Sequence, residues 1–141
     1  MNPTGEEAVL VDATVVLHAL GDAEPQRSRC RAYLEEVWSG RGRAYASTEM
    51  VQEVVHHRMR REDGVAATEA GRRISSSFFV LSFDHEVLEL ALGLIERTAI
   101  RGRDAVHAAT ALAYGIETIA SSDPAFDTVP GLRRVDPLTV A

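Results

Sequence analysis

The sequence predicts an α/β domain with a mostly parallel central sheet flanked by helices, and residues 1–141 read as a single such domain. Three observations predict it. Short apolar runs alternate with helical patterns along the whole chain. Two of those runs end in an aspartate, where a strand of a parallel sheet would release the chain towards a site. The chain has 141 residues, 45% hydrophobic and 26% charged, the size and composition of one packed domain that needs no disulfide or metal to hold its core.

The elements follow in order. Residues 8–11 are an apolar strand ending at Asp12, and residues 14–20 mix apolar positions as a helix does before stopping at Gly21. Pro25 opens a helix over residues 26–38, with Cys30, Tyr33, Leu34, Val37 and Trp38 on one stripe, and the Gly40-Arg41-Gly42 segment ends it. Residues 44–46 are a brief strand. Ser47 or Thr48 caps the next helix, whose buried stripe is Met50, Val51, Val54 and Val55. Residues 64–77 form a helix of small residues, and residues 78–81 read as a buried strand. Asp84 caps a helix that runs to about Thr98, with Phe83 and Leu88 placed as a hydrophobic staple. Residues 104–114 are an Ala-rich helix stopped by Gly115; residues 118–120 are a strand ending at Ser121-Ser122-Asp123, and Val135 sits in a last edge strand.

Composition removes several functions. All 15 basic residues are Arg, so chemistries built on a lysine ammonium, such as the P-loop or a Schiff base, are excluded. The formal charge of −6 argues against coating nucleic acid by bulk charge. Cys30 has no partner within the chain. No run approaches the length of a membrane span, and residues 1–7 lack the order of a signal peptide, so a cytoplasmic address is expected.

The candidate site residues are acids. Asp12 and Asp123 each close a strand, although an Asp after a strand also serves as a cap or turn residue. At about 100° per residue, Glu53 lies roughly 130° from the centre of its helix's buried stripe and Glu49 roughly 170°, which places Glu53 nearer the buried edge and turns Glu49 to water. Asp104 opens a helix whose small residues can pack close to a sheet, and a simple N-cap is its ordinary reading. Arg101 and Arg103 precede it as candidate phosphate contacts, as do Arg58, Arg60 and Arg61 after Glu53; Arg27, Arg29 and Arg31 read as surface charge. His56, His57 and His85 fit exposed helix positions, whereas His107 reads as a packing or hydrogen-bonding residue before a ligand.

With their settings, these residues resemble the PIN-domain nucleases, and within them the VapC-type toxins of bacterial toxin–antitoxin pairs. The likeness spans nearly the whole chain. Val11-Asp12-Ala-Thr14-Val-Val-Leu is similar to the opening strand and first acid, and Ser47-Thr-Glu-Met-Val-Gln-Glu53 to the helix with the second. Arg103-Asp104-Ala-Val-His107 resembles the segment bearing the third acid. Ser121-Ser-Asp123-Pro-Ala-Phe126-Asp127 resembles the ending, fourth acid included. Thr14 stands where members often carry Asn or Ser, and its hydroxyl can orient a carboxylate in the same way. The resemblance implies a PIN-like fold and an endoribonuclease toxin whose catalytic and metal-binding acids are Asp12, Glu53, Asp104 and Asp123, with Asp127 as an accessory. It also implies an RNA substrate, a homodimer and a VapB-like antitoxin whose flexible tail covers apolar surface near residues 16–20 and 33–37. Four converging carboxylates need a cation, and oxygen ligands favour Mg²⁺, with Mn²⁺ as the alternative. Two other readings compete. A PIN-like fold can serve only as an RNA-binding or scaffold module. A haloacid-dehalogenase-type phosphatase shares Asp12 and the Asp123 to Asp127 spacing, but here Thr14 replaces its second acid and its lysine is missing.

Overall fold

The structure is a computed structural model that describes residues 8–40 and 42–139; residues 1–7, read above for a targeting signal, and Arg41 lie outside the described residues. The chain runs β1 (Ala8–Val11), α1 (Ala13–Leu20), α2 (Gln26–Ser39), β2 (Arg43–Ser47), α3 (Thr48–Met59), α4 (Gly64–Ser77), β3 (Phe79–Leu81), α5 (His85–Arg97), α6 (Gly102–Ala113), β4 (Thr118–Ala120), a 3-10 helix (Pro124–Thr128) and β5 (Arg133–Val135). The five strands form one sheet in the order β3-β2-β1-β4-β5, with every neighbouring pair parallel.

The pleat divides the core in two. Successive side chains of a strand face opposite ways, so Val9 and Val11 join Ala44, Ala46 and Ala120 against α1, α2, α3 and α4, with Val15, Leu34, Met50, Val54 and Ile74 filling that layer. Leu10 and Ile119 face the other layer, where Val87, Ala91 and Leu94 of α5 and the alanines of α6 pack. The alanine run lets α6 lie close to the strands, and Gly71 does the same for α4. A Cβ at Gly71 would stand 2.6 Å from the Val55 side chain, which ties α4 to α3. Gly115, at φ +74°, takes the left-handed turn that ends α6.

Three expectations are corrected. The strand at 78–81 is not buried: β3 is an edge strand paired only with β2, so Phe79 is 57% exposed. Phe83 and Leu88 are both exposed at the start of α5, although Asp84 caps it by accepting the Val87 amide at 3.0 Å. Arg29 and Arg31 are more than surface charge. Arg31 donates to the Ala19 carbonyl at 2.7 Å and Arg29 to that of Leu138, so α2 is tied to α1 and to the C-terminal segment.

Candidate active site

The register of the sheet assembles the acids. Val11 lies opposite Ala120, so the next residues, Asp12 and Ser121, leave the sheet side by side, and the Asp12 amide donates to the Ala120 carbonyl at 3.0 Å. Asp12 is 3% exposed. Its Oδ2 accepts from the Ser121 hydroxyl at 2.7 Å and from the Thr14 hydroxyl at 3.0 Å, which leaves Oδ1 turned towards His107 Nε2 at 3.8 Å. Thr14 thus orients a carboxylate, as its place in the motif implied. The Ser121 oxygen also accepts the Asp123 amide at 3.0 Å, while Asp123 Oδ1 accepts the Ala125 amide at 2.9 Å and caps the 3-10 helix. One hydroxyl therefore holds the acid after β1 and the loop after β4 in fixed relation.

Asp104 enters from the first turn of α6. Arg101, not Asp104, occupies the N-cap position, so the Asp104 carboxylate is free of the capping role expected of it. An oxygen of Asp12, an oxygen of Asp104 and a ring nitrogen of His107 lie within 4.8 Å of one another. Burial, followed by the charge of Asp12, pushes Asp104 up to about 7; a hydrogen bond to Asp123 and that residue's charge add to the rise, and His107 opposes it. Burial makes the Asp104 charge costly and the neighbouring carboxylates raise that cost, two effects that a cation in the cluster would offset.

Glu53 joins through His107. The Ser47 hydroxyl accepts the Met50 amide at 2.9 Å as the cap of α3, and it also meets His107 Nδ1 at 2.9 Å. All these groups are satisfied when the hydroxyl donates to Nδ1 and Nε2 carries the ring proton, donating it to Glu53 Oε1 at 3.3 Å. That bond holds the Glu53 carboxyl below its ordinary range, against the effect of burial, and electrostatic attraction to the side chains of His107, Arg103 and His57 adds to it. His107 is fully buried and bonded, as its sequence setting suggested. With its Nε2 proton committed to Glu53, it acts as an orienting residue among oxygen donors.

The helical wheel misplaced Glu49. Its side chain is 23% exposed, against 25% for Glu53, because Arg103 of α6 crosses to it and donates Nε to Glu49 Oε2 at 2.9 Å. The two glutamates differ in partner rather than in depth. Arg101 is turned away to the end of α5, where its Nη1 donates to the carbonyls of Ile95, Thr98 and Ile100. Asp127 makes a two-pronged pair with Arg134, both contacts 3.0 Å, and Arg134 also reaches the Ser121 carbonyl at 3.3 Å. The guanidinium holds Asp127 below the usual carboxylate range. Sequence reasoning overlooked Ser121 and Arg134 as supports of the acids; the Ser-Ser-Asp run after an apolar strand was the available signal for the first.

On the far side of α1, a groove of about 320 Å³ opens between α1, α2 and α4, its apolar wall including Val16, Leu20, Leu34, Trp38, Ile74 and Phe78. Trp38 is 45% exposed there and meets Phe78 edge to face at 5.6 Å between ring centroids.

Comparison with known proteins gives a consistent picture. The profile of the PIN domain matches residues 9–132. Ribonuclease VapC7 of Mycobacterium tuberculosis is 33% identical over 138 residues, covering 92% of this chain and 91% of that protein. Among solved structures, FitAcB from Neisseria gonorrhoeae superposes with a TM-score of 0.73 at 21% identity, over 94% of this chain and 99% of the other. VapBC2 from Rickettsia felis, bound to a DNA fragment from its promoter, gives 0.72 at 14% identity, over 92% and 98%.

Proposed function

The chain belongs to the PIN domain family, and from that premise we propose that it is a metal-dependent endoribonuclease toxin of the VapC type, held inactive by a VapB-like antitoxin. Its similarity to a named VapC ribonuclease over nine-tenths of both chains supports the RNA-cleaving activity. The observation that carries the mechanism is the gathering of Asp12, Asp104 and Asp123 in one buried place, where burial first and the neighbouring carboxylates after it lift Asp104 to about 7.

The donor set fits a hard divalent cation, since the side chains that converge offer carboxylate oxygens and the one imidazole is hydrogen-bonded elsewhere. Asp12, Asp104 and Asp123 would hold it, with Glu53 binding directly or through water. Such an ion, Mg²⁺ or Mn²⁺, supplies acidity to an attacking water and positive charge to the phosphate being cleaved. The chain's own residues do the rest. Ser121 and Thr14 fix one oxygen of Asp12, so that the other faces the cluster. His107 fixes Glu53, and Ser47 fixes His107. Arg103, 49% exposed beside Glu49, is placed to meet a flanking phosphate, whereas Arg101 braces the turn between α5 and α6. Asp127 acts through Arg134 on the loop bearing Asp123.

The groove between α1, α2 and α4 is the docking place for the antitoxin, and it contains Val16, Leu20 and Leu34 of the segments expected to be covered. Homologous folds solved as toxin–antitoxin complexes support that partner. A second copy of the chain is the other partner, with Leu88 and Leu92 exposed on α5 to meet it. No described helix is long and apolar enough to cross a membrane, and the work of the toxin is proposed to lie in the cytoplasm. The direct test incubates the purified chain with single-stranded RNA in Mg²⁺, in Mn²⁺ and in EDTA. Internal cleavage with either ion and none in EDTA is expected; intact RNA throughout would leave an RNA-binding or scaffold module.

A further inference from the structure

Beside the acids, α1 and α3 enclose a second cavity that the cleavage chemistry leaves unused. Its volume is about 360 Å³, within the range of small-molecule sites, and Thr14, Leu17, His18, Asp22, His57 and Arg61 line it. Thr14 belongs to both places, since its hydroxyl bonds Asp12 at 3.0 Å, so the cavity opens one hydrogen bond away from the innermost carboxylate. His18 follows Thr14 by four residues on α1, and His57 follows Glu53 by four on α3. Each imidazole therefore stands one helical turn, about 6 Å, beyond a residue of the cluster on the same face.

Thr14 is committed to Asp12, but other polar groups of the cavity are not bonded in this way. The His57 ring lines the cavity, and its Nδ1, buried beneath the surface, has no hydrogen-bond partner among the described residues, so no bond at that atom fixes the ring. Arg61 is exposed at the rim; its amide donates to the Arg58 carbonyl at 3.0 Å, and its guanidinium makes no hydrogen bond or ion pair among the described residues. Its neighbour Arg58, in contrast, is bound to the Leu20 carbonyl and to Glu62. In a chain of charge −6 whose active site is a knot of acids, a polyanion needs cationic and stacking contacts next to that knot. Half-buried imidazoles offer flat faces for an unstacked base, and a free guanidinium offers a fork for phosphate.

We propose that this cavity is a nucleotide subsite, receiving one unstacked nucleotide of single-stranded RNA beside the scissile phosphate. His18 and His57 flank the base, and Arg61 holds the adjoining phosphate. The subsite rests on the RNA-cleaving reading, so its test separates the two. Asp104→Asn protein, in which RNA is not consumed, is titrated with 5′-AMP and 5′-CMP while the imidazole resonances are followed by NMR, and with a short fluorescein-labelled single-stranded RNA while anisotropy is followed. Mononucleotides are expected to move the His18 and His57 ring signals, and His57→Ala or Arg61→Ala to weaken RNA binding about tenfold, the effect of losing one stacking or phosphate contact. His57→Gln, which preserves bulk, and Arg61→Ala at the exposed rim keep the test informative if His57→Ala folds poorly. In otherwise unaltered protein the same variants raise KM for RNA far more than they lower kcat. Ring signals that ignore both mononucleotides, with RNA affinity and KM unchanged in every variant, overturn the subsite even if RNA is cleaved. Ring shifts with mononucleotides in a protein that cleaves no RNA uphold the subsite and overturn the cleavage reading.

Discussion

Asp104→Asn should abolish the loss of metal-free stability that Asp104 causes as pH rises. In the folded chain burial, the charge of Asp12 and the contact with Asp123 raise Asp104 from 3.8 to about 7, while His107 pulls the other way. The unfolded chain titrates it near the ordinary value, so the folded state binds this proton more tightly. The stabilisation it brings is complete below about pH 4 and is lost as pH rises through about 7. A shift of about three units converts to roughly 4 kcal/mol at 1.36 kcal/mol per unit, an upper bound for a carboxyl that keeps partial access to water. Solvent screening reduces it to about 1–2 kcal/mol. With an unfolding entropy of about 2.1 cal/mol/K per residue, this is a fall of roughly 3–7 °C in Tm between pH 4 and pH 8. Thermal melts in EDTA, followed by circular dichroism at several pH values, should show this loss in the wild type and its absence in Asp104→Asn, which then becomes the more stable protein at pH 8. Mg²⁺ or Mn²⁺ added at pH 8 should restore the wild type and do little for the variant. A variant whose Tm tracks the wild type across the range would refute the idea that Asp104 carries the strain of the crowded charges.

Asp12→Asn and Asp123→Asn should each lower metal-dependent RNA cleavage by about a hundredfold or more while leaving metal-free stability unchanged or raised, since each removes an anion from the cluster; a gel assay and a melt read both. Glu53→Gln should be similarly inactive, whereas Glu49→Gln, which frees Arg103 without touching His107, should retain most activity in the same assay. Equal losses would show that the Arg103 pair matters to the site as much as the His107 contact does, against the separate roles given to the two glutamates. Trp38→Asp in the groove should weaken inhibition by the antitoxin at least tenfold, as loss of an aromatic anchor does, with cleavage by the free enzyme within about twofold of wild type; inhibition that is indifferent to Trp38 places the antitoxin elsewhere.

The strands that bear acids were legible because an apolar run ending abruptly in Asp reports both the strand and its exit. The helix caps at Ser47 and Asp84 were legible because a capping side chain acts within three residues. What failed was decided at long range. Phe79 is as apolar as a central strand residue, and only the sheet order makes it an edge position. A helical wheel turns Glu49 to water since it cannot include Arg103, which arrives from 54 residues away. Arg101 looks like a phosphate contact beside Asp104 until the end of α5, whose open carbonyls claim it, is brought next to it. His107 was readable as a bonded residue, but its partners Ser47 and Glu53 lie on a different helix and strand end.

The Ser121 hydroxyl, which joins the acid at the first strand to the loop after the fourth, spans 109 residues of chain. A ribosome adding about 5–20 residues per second needs roughly 5–20 s to make that stretch. Throughout that interval Asp12 has neither its serine nor Asp123, and the nascent chain carries its first acid with no site around it. The cluster is therefore complete only once Ser121 and Asp123 have been added, by which time every residue lining the groove between α1, α2 and α4 has already been made.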